Sequence, residues 1–483
     1  MADLELSRDL TRRRMLGATL LAAVGAAAAA CAPAPPPAPT TVPKPAAAAP
    51  TAAPSAAPTT VPAAAAAPKS AGPVELQVMN VEAYSAELDK KVFPVGYDMF
   101  SKENGGRITV KETILPENAQ YYVKILTTIA GGTPPDACYV HPAQGLPQFA
   151  GQGVIIPLEP YIQSDQTIKF DDFYKGPLSY YQYPLGDKQY GLPYYSGPSI
   201  TVFNKKIFQK YGEKTPDEYE KSGQWTWEKL IEVGLKLTKG SGADKTFGYT
   251  SVTSALHWLN IVVWGHGSDL WDDKMERTLL GEAIPSDALD MYASLQYKHQ
   301  IVPSAAESDG LPGGFLAGRT GVMYAIKGNI PSVRDAVDQG KLDVGMVGIP
   351  KGPKGRFVRN GPNSYGILKT SAHQDEDWKL VNFMTQSGFQ TLQNVIGASV
   401  PIRKSILTSG EFAKSLQPWE SLDVYKEASD IDKPLRFAPT HPDIQAAFGA
   451  EYDLVKLGKQ SYKEGAAKFV PKIDGFLKKA KEG

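Results

Sequence analysis

The stretch from Tyr121 to His141, YYVKILTTIAGGTPPDACYVH, constrains this chain most, because it commits to a helix, a stop and a strand in immediate succession. Apolar side chains at Tyr122, Ile125, Leu126 and Ile129 recur at i, i+3, i+4 and i+7, the stripe of a helix laid on a core. Gly131 and Gly132 can take the left-handed conformation of a C-cap, and Pro134 and Pro135 lack the N–H that a continuing helix needs. Ala137 to Val140 then reads as a short buried strand.

Val74 to Val78 and Ile108 to Lys111 alternate apolar and polar residues and read as further strands, with a helical segment near Val95 to Lys102 between them. The order β-α-β-α-β predicts a parallel sheet with right-handed crossovers. Ligands of open α/β sheets sit beyond the carboxyl ends of the strands, which selects Asn80 to Tyr84, Leu115 to Asn118 and Tyr139 to Gln144.

What precedes this body is different in kind. Thr11 to Leu16, with Arg12 and Arg13, resembles a twin-arginine export motif, and an uncharged run from Met15 to Ala30 ends at Cys31. As a helix that run is roughly 24 Å long, short of the roughly 30 Å bilayer core, so residues 1–31 read as a signal rather than a span. Small residues before Cys31 resemble a lipoprotein processing site, with Ala28 where such sites usually carry Leu. Simple cleavage without a lipid, or an uncleaved anchor, are the other readings. Residues 32–72 are Ala, Pro, Thr and Ser with Lys44 and Lys69 as the only charges, a composition that builds no core. They are expected to form a disordered tether reaching on the order of 120 Å when extended.

Six of the 51 basic and three of the 51 acidic residues precede residue 73, which leaves the body three charges negative and gives nothing to recruit nucleic acid. Cys138 is its only cysteine, so no internal disulfide is possible there. No H-E-x-x-H, G-x-S-x-G, P-loop, EF-hand or dinucleotide motif is present. Cys138 and His141 form a lone C-x-x-H, which reads as a buried thiol beside a loop histidine rather than a metal site; no metal or cofactor is expected. His257 and His266 are too isolated to mark ligands. Carboxylates are plentiful, so a carbohydrate hydrolase or lyase stays open as an alternative.

The pattern of helix, A-G-G-T-P-P-D, short apolar run and aromatic resembles the carbohydrate-type, maltose-binding-like solute-binding proteins of ABC importers, from about residue 73 to the C-terminus. Gln189 to Tyr195 with Ile200 to Phe208 is similar to that family's first crossing between lobes, with Phe203 in place of the usual Tyr; a sheet-edge strand is the plainer reading. Thr226 is a candidate N-cap for a helix with Trp227, Leu230, Ile231 and Leu235 on one face, and Trp225 and Trp227 read as core. Asn260 to Gly267 resembles a segment whose aromatics face the cleft. Phe315 to Tyr324 resembles a strand followed by a ligand-contacting loop to Asn329. Leu342 to Pro350 reads as a strand, with Trp378 to Met384 as a later helix. Asn360 to Ile367 and Val400 to Arg403 are similar to the second and third crossings.

The resemblance implies an α/β, two-lobed periplasmic-binding-protein-like (type II) fold with hinged lobes, preceded by the tether. Lobe 1 would comprise 73–197 and 350–402, and lobe 2 would comprise 198–349 and 403–483. It implies a non-enzymatic, monomeric, lipid-anchored receptor that captures a mono- or oligosaccharide outside the cytoplasm and delivers it to ABC permease subunits. Receptors for an opine, polyamine or glycerol phosphate are alternatives, though no compact Arg/Lys cluster marks a phosphate site. Strand-end logic and resemblance together select Tyr84, Tyr139, His141, Tyr195, Trp258, Trp264, Tyr324, Asn329, Asn363, Tyr365 and Arg403 as ligand contacts, with a lobe-to-lobe ion pair as the other role for Arg403.

Overall fold

A computed structural model describes residues 72–82, 88–116, 119–184, 186–250, 253–304, 307 and 313–482. The segment with Arg12, Arg13 and Cys31, the Ala/Pro-rich stretch and Tyr84 lie outside the described residues.

The chain opens with β1 (Val74–Val81), α1 (Phe93–Glu103), β2 (Ile108–Leu115), α2 (Ala119–Ala130) and β3 (Ala137–Val140). β1 runs parallel to β2, with Val74 opposite Ile108, and parallel to β3, with Val78 opposite Ala137. α2 stops where its sequence says it must: Gly132 has φ 76°, and the Thr133 N–H donates to Thr128 O at 3.0 Å.

A second sheet follows, built from β4 (Ser199–Asn204), β5 (Phe247–Tyr249), β6 (Thr320–Ile326) and β7 (Val344–Val347) in the order β5-β6-β4-β7. α3 (Trp227–Leu237) and α4 (Leu256–His266) lie between its strands in sequence. The chain then returns to the first sheet as β8 (Ser364–Ile367), antiparallel to β3 with Tyr365 opposite Tyr139, which gives β8-β3-β1-β2. α5 (Gln374–Phe383), α6 (His441–Lys456) and α7 (Tyr462–Glu482) come last.

The expected parallel β-α-β-α-β unit is present, while three other expectations are corrected. β4 is not a sheet edge: it pairs with β6 (Thr201 opposite Tyr324) and with β7 (Thr201 opposite Val347). With neighbours on both sides and cores on both faces, all six of its residues are buried. Ile200 and Val202 pack with Val333, Leu407 and Tyr425, whereas Phe203 packs with Trp227, Leu230 and Phe448. In α3, Thr226 caps as expected, accepting from the Lys229 N–H at 3.2 Å, but Leu235 is 47% exposed. The buried face passes through Gly234 instead, because α3 rides directly on β5: a Cβ added to Gly248 would lie 2.3 Å from Gly234 Cα. Finally, Phe315 to Tyr324 is not one strand, since a helical turn at Gly313–Leu316 precedes β6.

The first sheet has its own apolar core, including Leu76, Val78, Phe100, Ile125, Phe149, Ile367 and Phe383. What joins it to the second sheet is a set of extended segments lying side by side. The Val400 N–H donates to Ser196 O (2.9 Å), Ser199 N–H to Arg359 O (3.1 Å), Asn363 N–H to Tyr195 O (3.3 Å) and Lys433 N–H to Val358 O (3.0 Å). Asn360, fully buried, stitches them: its Oδ1 accepts from the Gly197 N–H and its Nδ2 donates to Ser196 Oγ, both at 2.8 Å.

Beside β6 the second sheet buries a charge network. Glu420 accepts from Lys327 Nζ (2.7 Å), Arg334 Nε (3.0 Å) and Tyr425 OH (2.7 Å), and Arg334 Nη2 also pairs with it closely. Burial lowers the Lys327 ammonium to about 8, with Glu420 opposing that shift. Glu420→Ala leaves two buried cations uncompensated and is expected to destabilise the protein by roughly 3–5 kcal/mol. Denaturant unfolding checks this, and a loss below about 1 kcal/mol contradicts the burial described.

Candidate functional site

The joining segments deliver Arg359 to the space between the sheets. Its side chain is 7% exposed and its guanidinium lies 4.2 Å from the ring centroid of Trp258, in the first turn of α4. Trp258 meets Tyr324 of β6 edge to face at 5.4 Å, and the Tyr324 hydroxyl shares a short hydrogen bond with Ser199 Oγ on the adjoining strand. His257, next to Trp258, stands 6.3 Å ring to ring from His441, the first residue of α6, which in turn packs on Phe437 at 4.8 Å. His141, just past β3 of the first sheet, is near enough to Arg359 and His441 for both to perturb its ionisation.

Why these side chains converge follows from the elements that carry them. β3 ends at Val140, so His141 occupies the carboxyl edge of the first sheet, where its Nδ1 accepts from the Ala143 N–H (3.0 Å) and the Gln144 N–H (3.3 Å). Those bonds place its proton on Nε2. α4 and α6 both begin here, and they are tied together where the Leu256 N–H donates to Gln445 Oε1 at 2.8 Å.

The electrostatics are one-sided. Burial, reinforced by the nearby Arg359 charge, pushes His141 down to about 3 and His257 well below its ordinary value; burial alone pushes His441 to about 4. All three imidazoles are therefore neutral at pH 7. Asp432 is pushed up to about 8 by burial, against the pull of Arg359, and its Oδ1 accepts from Tyr180 OH at 3.4 Å. Among the described residues no group of three or more His, Cys, Asp or Glu is placed to hold a metal ion. Cys138 lies in the first core with its thiol pushed up by burial.

Of the residues selected from sequence, His141, Trp258 and Tyr324 belong to this cluster. Asn363 and Tyr139 border the joining segments: the Tyr139 hydroxyl donates to Asn363 Oδ1 at 3.5 Å, and Asn363 forms an isolated bridge with Tyr195. Tyr195 is 2% exposed, with its ring against Gly197. Trp264 is buried with the first core although α4 belongs to the second sheet, and Lys433 Nζ lies 4.9 Å over its ring.

Three others are engaged elsewhere. Tyr365 is buried in the first core, where its hydroxyl meets Tyr97 OH (2.8 Å) and donates to Glu112 (3.4 Å). Asn329 Oδ1 accepts from the Ile326 N–H at 3.0 Å and closes the turn after β6. Arg403 donates to Thr385 O (3.0 Å) and Thr385 Oγ1 (2.7 Å) and lies 4.4 Å over Phe173. Among the described residues its hydrogen-bond partners are uncharged, while the Asp172 and Asp165 carboxylates act on it from farther away.

Arg359, His257, His441 and Asp432 are the members that sequence reasoning missed. The histidines are more than 100 positions apart, so no spacing announces their meeting. A lone arginine three residues after Arg356 reads as one more charge of a basic loop.

The bacterial extracellular solute-binding protein family model matches residues 80–391. The sn-glycerol-3-phosphate-binding periplasmic protein UgpB of Agrobacterium fabrum is 23% identical over 376 residues, 72% of this chain and 80% of that protein. Among solved structures, the ABC substrate-binding protein Lmo0181 of Listeria monocytogenes in complex with cycloalternan superposes with a TM-score of 0.71 at 19% identity, covering 85% of this chain and 99% of that one. UgpB of Mycobacterium tuberculosis in complex with glycerophosphocholine gives 0.70 at 16% identity, with 85% and 99% covered.

The depressed histidines make a testable statement about stability. An unfolded histidine titrates near about 6.5, so below that pH the unfolded chain binds protons that the folded chain refuses. The contribution of His441 therefore falls as pH drops from about 6.5 to about 4 and is absent above that window. His441→Gln is expected to flatten the loss of Tm across the window relative to the unaltered protein, and parallel pH profiles for the two proteins contradict the assignment.

Proposed function

Because the chain belongs to the bacterial extracellular solute-binding protein family, we propose that it captures a mono- or oligosaccharide between two closing lobes and presents it to ABC permease subunits. In this reading lobe 1 comprises 73–197 and 350–402 and lobe 2 comprises 198–349 and 403–483. The observation that carries the sugar is the pairing of Trp258 and Tyr324, with Ser199 at the Tyr324 hydroxyl and Arg359 over the Trp258 ring, flat apolar faces rimmed by hydrogen-bonding groups. A pyranose has the same duality. One ring face covering on the order of 100 Å² contributes about 2.5 kcal/mol, and a micromolar site requires about −8 kcal/mol. Two or three such contacts with several hydrogen bonds supply that, less the cost of closure, and enclosure between lobes is how one small guest reaches them all.

The guest shifts an open ensemble toward a closed one by bending at the joining segments, and the permease reads the closed shape. Export through Arg12 and Arg13 and lipidation of Cys31 keep the body near the membrane, with residues 32–72 as the tether. No reaction is needed for any of this. That the Lmo0181 structure holds a cyclic oligosaccharide supports a carbohydrate guest.

A thermal-shift screen of the full chain over sugars tests the reading: a guest at 100 times its Kd stabilises by about 2.7 kcal/mol, and no shift with any sugar refutes it. Incubation with glycans is expected to return them unaltered, whereas turnover favours the hydrolase. Cys31→Ala is expected to abolish labelling by a radiolabelled fatty acid and to release the protein from the membrane fraction; retention of both contradicts the anchor.

A further inference from the structure

Arg359 stands apart from the other buried arginines. Arg356 pairs with Glu220 and Glu427, Arg334 pairs with Glu420, and Arg403 saturates on Thr385 and Asn382. Arg359 is as deeply buried, yet its Nε has no hydrogen-bond partner and no described carboxylate lies within ion-pair distance. A buried cation with neither a counter-charge nor a full set of hydrogen bonds is strongly unfavourable, and among the described residues Arg359 has neither.

The surroundings point the same way. The first turns of α4, of 11 residues, and α6, of 16, bring the His257 and His441 rings to 6.3 Å, although the Leu256 N–H is taken by Gln445 Oε1 and the His441 N–H by Ala438 O. His257 Nδ1 and His441 Nδ1 in those turns are buried without partners. Asp432 is the carboxyl that feels Arg359: burial pushes it up to about 8 against the pull of the guanidinium, and its Oδ2, like Arg359 Nε, is buried without a hydrogen-bond partner among the described residues. Trp258 covers one face of the guanidinium, which leaves the N–H edges for an in-plane acceptor.

Building on the receptor reading above, we propose that the guest is an acidic one, a polyhydroxylated molecule bearing a carboxylate or a phosphate, and that Arg359 receives this oxyanion while Trp258 and Tyr324 hold the rest. Arg359 is then the residue that sets specificity by charge. The neutral imidazoles of His141, His257 and His441 flank it as hydrogen-bonding groups that add no charge of their own.

Titration calorimetry on the full chain with matched probes tests this: galactose against galacturonate, glucose against glucose 6-phosphate, glycerol against sn-glycerol 3-phosphate, and inorganic phosphate alone. The acidic member of at least one pair is expected to bind roughly tenfold or more tighter than its neutral twin, with affinity falling as salt rises. Which pair responds separates a carboxylate guest from a phosphate one. Arg359→Gln is expected to weaken the acidic probe roughly 10- to 100-fold and to erase most of the salt dependence, with Arg359→Lys in between. Equal affinity for the neutral and acidic twins, unchanged in Arg359→Gln, overturns the acidic guest and leaves the receptor reading standing. Failure of every probe, neutral and acidic, overturns this inference, while the thermal-shift screen over sugars decides the receptor reading separately. If Arg359→Gln does not fold, the twin comparison and salt dependence of the unaltered protein decide.

Discussion

Backbone groups taken out of water must find partners, and in this protein that requirement governs how two sheets become one molecule. They share no strand, and each has its own core. The chain passes between them through segments that would be buried with bare amides and carbonyls if each ran alone. Laid edge to edge they satisfy one another, and Asn360 fixes their mutual register by bonding to Ser196 and Gly197 at once. The position of Arg359 one residue away, and of Asn363 three residues on, follows from that stitch.

Charge is handled in two opposite ways within the same fold. Around Glu420, two cations and a phenol close on one carboxylate and leave little of it unsatisfied. Around Arg359 the neighbours are an aromatic face, imidazoles held down by burial and an acid pushed up by burial, none of them a salt-bridge partner among the described residues. The first arrangement supports a scaffold. The second suits a place that something else completes.

How much of this was legible in the sequence depended on whether the determining contacts were local. The α2 stop at Gly132, the Thr226 cap and the parallel pairing of β1 with β2 and β3 rest on periodicity and end signals spelled out within a few residues. Leu235 was misplaced because the face of α3 is set by the close approach of Gly234 to Gly248, a tertiary contact between two residues without side chains. The interior position of β4 depends on β7, far along the chain. Aromatic residues of the site could be named because Tyr324 lies in a stretch that resembles a known family and Trp258 stands just before another, Asn260 to Gly267. Arg359, His257 and His441 could not, because what brings them together is the assembled space, while His141 could be named from its place at the end of β3.

The chain between β7 and β8 has a mechanical asymmetry. Lys351 exchanges backbone hydrogen bonds with Trp225 and Trp227, the Lys354 N–H donates to Gly265 O at 2.8 Å, and Gly352 sits so close to α4 that a Cβ there would lie 2.4 Å from Gly265 O. Arg356 then clamps onto Glu220 and Glu427. Residues 351–356 are thus fastened to the second sheet, so on this strand of the connection the passage to the first sheet falls at 357–363 rather than at the proposed lobe boundary of residue 350. Under the closure proposed above Arg359 lies within that passage, near the axis, where rotation would move it least and the far rims of both halves most.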